Sequence, residues 1–184
     1  MNIKLAFEKI LSEIDKDKKY INEEVFENTP SRMEKFYKDF FSGLKTDPYS
    51  FLKNYIPTEN NDLIIEKNIS FYSMCEHHLL PFFGKISIAY APNKKIIGFG
   101  EIIKVIEAFS KRPQLQERLT EDIAETIFKA LDCKGVYILI EAEHLCMTMR
   151  GVKKPGSKII TIGTRGIFEK DYNKRLEISN LLKD

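Results

Sequence analysis

Residues 74–84 read MCEHHLLPFFG, and residues 141–151 read EAEHLCMTMRG. These two windows hold all three histidines of the chain, His77, His78 and His144, and two of its three cysteines, Cys75 and Cys146. Thiolates and imidazoles are zinc ligands, and Cys75 with His78 makes a C-x-x-H half-site. A strand cannot place residues three apart on one face, but a turn at a strand end can. Cys146 completes a set of three protein ligands, and it shares a face with His144 if their segment is a strand. Three ligands leave one position open for water, the arrangement of catalytic zinc. A closed structural site would instead recruit one more of the histidines. With the position open, His77 and His144 are left over beside the metal. Zinc lowers the pKa of bound water to about 7, and histidine titrates close enough to carry protons to a leaving nitrogen. The chemistry this suits is metal-assisted hydrolysis of a C–N bond. Cys133, alone at the end of a helical segment, reads as a small core residue.

These windows need strands, and a turn, to position them. LIIEKNISFYSMC leads into the first window and GKISIAYAP leads out of it. In the second of these, Ile86, Ile88 and Tyr90 alternate with Lys85, Ser87 and Ala89, which is strand periodicity. PNKK (92–95) is a turn. Helices follow at roughly 100–110 and 113–132, the latter with Leu115, Leu119, Ile123 and Ile127 four apart, and Gly135 is its expected stop. The segment from Val136 is a strand again, and SKIITIGTRGIF is the last strand, followed by a short helix. Val136, Tyr137, Ile138, Leu139 and Ile140 are apolar on both faces, and a second subunit is the expected cover for the face that helices do not reach.

Residues 1–55 read as helical. Ile3, Phe7, Ile10, Leu11 and Ile14 recur at helical spacing, as do Met33, Phe36, Tyr37, Phe40 and Phe41. Thr29 with Pro30, or the capping box Ser31 to Glu34, is the expected start of the second helix, and Gly43 its end. The polar loop 56–62 marks a boundary between a helical extension, 1–60, and a catalytic domain, 61–184. The order of helices, then β-β-α-α-β-β, is that of an α+β domain with an antiparallel sheet.

The 184 residues, 43 % hydrophobic and 30 % charged with a net charge of +2, suit a soluble chain of one domain with a modest extension. There is no basic arm or aromatic-lined basic stripe to bind nucleic acid, no apolar run of about 18 residues and no signal-peptide pattern at the start. An odd cysteine count without framework spacing points to a reducing, cytoplasmic setting.

Gln116 and Glu117 open the longer helix. By residue type alone each is a solvated side chain, although a carboxylate in a pocket can accept two N–H bonds from one edge of guanine. Three separated stretches, CEHHLLPFFGKISIAYAPN, RPQLQERLTEDIA and EAEHLCMTMRGVKKPGS, closely resemble GTP cyclohydrolase I, and NTPSRMEKFYKDFFSG is similar to that family's N-terminal helical motif. The resemblance implies zinc on Cys75, His78 and Cys146, with His77 and His144 as acid–base groups. It makes Gln116 and Glu117 the purine-binding pair, and gives Arg150 and Lys104 to the triphosphate. It implies that water activated at zinc adds to C8 of GTP, that the imidazole ring opens and loses formate, and that rearrangement yields 7,8-dihydroneopterin triphosphate. It also implies the tunnelling fold, a D5 decamer of two stacked pentamers, and active sites at subunit interfaces.

One stretch departs from the pattern. Where the family has Gly-Leu-Ser-Lys, two residues and Arg, this chain has GFGEIIK, so Gly100 and Glu101 replace the phosphate-binding Ser and Lys, and Lys104 replaces Arg. Thr161 is kept in the nearby IITI run, but Ile162 stands for a serine. Lys153, Lys154, Lys158 and Arg165 are the basic residues available to compensate, or are ordinary surface charge. Two further expectations stand beside GTP cyclohydrolase I: the same ring opening on a guanine compound with fewer phosphates, and a catalytically silent zinc protein that binds purines.

Overall fold

A computed structural model describes residues 2–60 and 62–182 and divides the chain into two compact units, one up to Ser42 and one from Gly43 onward. In the first unit, α1 (Ile3–Ile14) is capped by the Asn2 side chain, which accepts from the Leu5 N–H at 2.9 Å. Helix α2 (Glu23–Phe40) is capped at Asn22, seven residues ahead of the expected cap Thr29. Asn22 supplies the cap by accepting from the Val25 N–H at 3.0 Å, and Glu23 and Glu24 sit at the helix's positive end. Pro30 is therefore buried inside the helix rather than at its first turn, and it has no N–H to offer the carbonyl one turn back. Phe7, Phe36, Tyr37, Phe40 and Phe41 form an aromatic cluster with ring centroids 5.4–5.6 Å apart.

The second unit opens with Gly43 in a 3-10 turn, Ser42–Lys45, so Gly43 does not end α2. A Cβ there would lie 2.2 Å from the Ala108 carbonyl oxygen, a distance only glycine permits. Arg112 locks the approach by donating to the carbonyls of Gly43 and Thr46, both at 2.9 Å. A second 3-10 turn, Pro48–Leu52, packs against α3 (Phe99–Ser110) and α4 (Gln116–Leu131). The chain thus joins this unit well before the loop 56–62.

Five strands make the main sheet, in the order β5-β2-β3-β6-β7. They are β2 (Ile64–Cys75), β3 (Pro81–Ala91), β5 (Pro113–Gln114), β6 (Gly135–His144) and β7 (Lys158–Gly166). All pairings are antiparallel except β5 with β2. Two short strands, β1 (Ile56–Pro57) and β4 (Lys95–Ile96), pair separately. Helix α4 starts at Gln116 because Pro113 and Gln114 are drawn into the sheet beside Met74 and Cys75. It ends at Asp132, in left-handed conformation, and Gly135 is instead the first residue of β6, where a Cβ would meet Ile167 at 2.7 Å.

One sheet face carries Phe71, Phe82, Ile86, Ile88, Val136, Ile138 and Ile140 into a core shared with α3 and α4. On the other face Ala89, Ala91 and Tyr137 pack against Phe168, Ile178 and Leu182 from α6 (Ile167–Lys170) and α7 (Tyr172–Leu182). The chain's own C-terminal helices therefore cover the second side of β6 at Tyr137, where sequence alone calls for another subunit.

Candidate active site

The first window is the turn between β2 and β3. The Leu79 N–H donates to the Cys75 carbonyl at 2.8 Å, and the Cys75 N–H to the Leu80 carbonyl at 2.9 Å. Leu79 takes positive φ (50°) to close it. This brings His78 back over the end of β2, with Nδ1 3.7 Å from the Cys75 Sγ. The second window bends at a different place from the expected one. Strand β6 ends at His144, and Cys146 lies in the one-turn helix α5 (Leu145–Thr148), so the two side chains are aimed by different backbone conformations.

The ligand atoms of Cys75, His78 and Cys146 all lie within 4.8 Å of one another. Donors around a tetrahedral zinc with bonds of about 2.0–2.3 Å sit roughly 3.3–3.8 Å apart, so a modest closure of the group meets that geometry. Burial pushes the Cys146 thiol up, and the Cys75 thiol beside it pushes it further. Two thiols that oppose each other's ionisation are stabilised as thiolates by a divalent cation between them. The donor set therefore fits a metal such as zinc.

His144 is buried, its ring stacked on Phe82 with centroids 4.5 Å apart and planes 5° from parallel. Burial holds its pKa below the ordinary histidine value, against a smaller upward pull from Glu117. Its Nε2 lies 2.8 Å from the Gln116 Oε1. Gln116 is 1 % exposed, and its amide nitrogen donates to the carbonyls of Ile140 (3.2 Å) and Ile159 (3.0 Å) and to the Thr161 Oγ1 (3.0 Å). The Thr120 hydroxyl is spent on the Gln116 carbonyl at 2.7 Å, so at 2.6 Å Thr161 donates to Thr120 and is free to accept from Gln116. These acceptors fix the amide's orientation. They put hydrogen on His144 Nε2 and leave Nδ1 as the lone pair.

Glu117, one residue on, is exposed. His77 is exposed and meets His78 edge to face, with ring centroids 6.1 Å apart. The residues assigned to phosphate are more scattered in their bonding. Lys104 is paired with Glu101 at 2.7 Å, and Arg150 is exposed after α5. Of the compensating cations, Lys158 is paired with Glu141 at 2.7 Å, and Arg165 bridges Glu121 and Glu125 at 2.6 and 2.5 Å. Lys153 and Lys154 are exposed in the loop before β7. Sequence reasoning passed over Phe82, Gln114, Glu76 and Arg118. Phe82 stands opposite His144 in the β3–β6 register, a pairing with no local sequence signal.

The GTP cyclohydrolase I family model matches residues 3–183. The GTP cyclohydrolase 1 of Fusobacterium nucleatum is 56 % identical over 160 residues, 87 % of this chain and 86 % of that one. The enzyme of that name from Geobacillus kaustophilus is 47 % identical over 182 residues, 98 % of this chain and 95 % of its own. The one from Lysinibacillus sphaericus is 44 % identical over 184 residues, covering 100 % and 96 %. With matches that span nearly the whole of each sequence, the chain belongs to the GTP cyclohydrolase I family, and its α+β architecture is that family's tunnelling fold.

Proposed function

We propose that this protein hydrolyses the guanine imidazole ring of GTP, releases C8 as formate, and closes the product to 7,8-dihydroneopterin triphosphate. The observation that carries this reading is the Cys75–His78–Cys146 group, with ligand atoms within 4.8 Å, next to a buried and oriented His144. Zinc is the metal we assign to the three ligands, and what it supplies when bound is Lewis acidity toward water.

The remaining steps belong to the chain's own side chains. Glu117 accepts the N1–H and 2-amino hydrogens of guanine in a paired contact. His144 exchanges a proton with the imidazole ring through Nδ1, because Nε2 is committed to Gln116. Gln116 thus serves the purine site through His144. His77, exposed at the turn, exchanges protons from the open side. Arg150 and Lys104 bind the triphosphate, with Lys104 giving up Glu101 for a more highly charged partner.

We assign the working form to a cytoplasmic homodecamer of stacked pentamers. Family membership supports it, and so do Tyr72, Ile160 and Ile162, exposed on the sheet's second face. Among the described residues no helix is long and apolar enough to cross a membrane. The experiment is turnover of zinc-loaded protein on GTP, GDP, GMP and guanosine, read as formate and as the fluorescence of the oxidised pterin. A clear preference for GTP is expected. Equal turnover of guanosine, or no turnover at all with zinc bound, overturns the reading.

A further inference from the structure

The geometry points to Arg118 and Glu76 as a positioning pair that holds the Cys75–His78 turn against the first turn of α4, an inference that rests on the function proposed above. Of the four residues in that turn, Glu76 alone has no part in metal binding or proton transfer. Its carboxylate nevertheless has a defined partner, the Arg118 Nη2 at 2.5 Å, and its backbone N–H donates to the Gln114 carbonyl at 3.0 Å.

Arg118 is itself held at more than one point. Its Nε donates to the Gln114 Oε1 at 3.0 Å, and its Nη2 also to the Pro113 carbonyl at 3.0 Å. Gln114 is 2 % exposed, and its amide nitrogen donates to the Phe109 carbonyl at 3.0 Å, which turns its Oε1 toward Arg118. Gln114 and Pro113 also form the two-residue strand β5 beside Cys75 and Met74. The guanidinium is therefore locked before it meets Glu76, so the pair forms without ordering a free arginine side chain.

The pair is half exposed, with 43 % of the Arg118 and 32 % of the Glu76 side chain accessible, and ion pairs of that kind add little to folding stability. Its location gives it a different use. Three consecutive residues at the start of α4 take three different positions: Gln116 is bonded to His144, Glu117 is exposed and is assigned above to the substrate, and Arg118 is bonded to the turn that carries Cys75, His77 and His78. Without the pair the turn keeps its backbone bonds, including the one from Glu76 to Gln114, but loses its side-chain tie to the first turn of α4.

The test uses the full chain loaded with Co(II), in wild type and in Glu76→Gln, Glu76→Ala, Arg118→Lys and the Glu76→Ala/Arg118→Ala double variant. Cobalt–thiolate absorption, the rate of cobalt loss to a chelator, and kcat and KM for GTP are measured on each. Partners outside the ligand set typically change metal affinity or activity by about 10–100-fold. Both Glu76 variants should therefore lose cobalt at least about tenfold faster and show a similar fall in kcat, with KM held within about twofold. The double variant should be no worse than Glu76→Ala, and Arg118→Lys, which keeps the charge, should lose less than either. Wild-type cobalt release from both Glu76 variants overturns the inference, whatever their activity. A wild-type protein without turnover on GTP, whose Glu76 variants still lose cobalt faster, overturns the functional reading and leaves the pair standing.

Discussion

Replacing Gln116 by leucine separates two roles that adjacent residues share in the sequence. If the Gln116 side chain contacted guanine, its loss would weaken substrate binding. In the structure it is fully buried, and its polar contacts are all with the protein: three acceptors share the two amide hydrogens, and Oε1 lies on His144 Nε2 at 2.8 Å. Leucine is close to glutamine in volume, so the variant removes those bonds without opening a large cavity. It leaves the buried Nε2–H of His144 unpaired, at a cost of about 1–3 kcal/mol. That cost falls only on the tautomer with hydrogen on Nε2, so the balance shifts toward the Nδ1–H form by about 5–150-fold. Only the other tautomer has the lone pair that the proton transfer needs. The expected result is a fall in kcat within that range, with KM for GTP changed by no more than about threefold. A second readout is direct: the chain has three histidines, so ¹⁵N-histidine labelling gives a small set of ring signals that report which nitrogen of His144 carries hydrogen. A KM raised about tenfold with kcat unchanged would refute this reasoning, because that pattern marks a residue bound equally to substrate and transition state.

Three other outcomes follow from the geometry. Glu66 has a raised carboxyl pKa caused by burial, and its Oε2 is buried without a hydrogen-bond partner. The folded state therefore holds a proton that the unfolded state releases above its ordinary value, and stability falls as pH rises from there through the raised pKa. Glu66→Gln should flatten that loss and raise Tm at neutral pH by about 1–3 °C, read by calorimetry across pH. Gly43→Ala places a Cβ 2.2 Å from the Ala108 carbonyl and 2.7 Å from that of Lys111, so the 3-10 turn must shift, and urea unfolding should show a loss of about 1–3 kcal/mol. Cys146→Ser removes one thiolate from the ligand group, so the cobalt–thiolate band should fall by about half and formate release should cease.

What could be read from the residues themselves was local. Cys75 and His78 announce themselves because a three-residue spacing at a strand end needs only a turn, and the turn is where sequence puts it. The alternation of Ile86, Ile88 and Tyr90 located β3, and four-residue spacing located α4, because each pattern is written within a dozen residues. The start of α2 was missed because two strong signals competed. Thr29–Pro30 is a better opening by residue statistics, yet Asn22 and the two acids behind it form a working cap first, and a proline seven residues in is tolerated once the helix is under way. The cover over β6 was missed because the last helix has no amphipathic pattern of its own: Ile178 and Leu182 bury only because Tyr137 and the alanines of β3 are there to receive them. The same reason hides the wiring of the site. Gln116 meets His144 across 28 residues and Arg118 meets Glu76 across 42, and each contact depends on the register of strands between them. Ligands and nucleophiles can be recognised by type, but the groups that aim them are ordinary glutamines, glutamates and arginines. Their role comes from where the sheet delivers them, which is why Gln116 and Arg118 bracket the exposed Glu117 and yet point away from it, one into the core and one to the turn that carries Cys75 and His78.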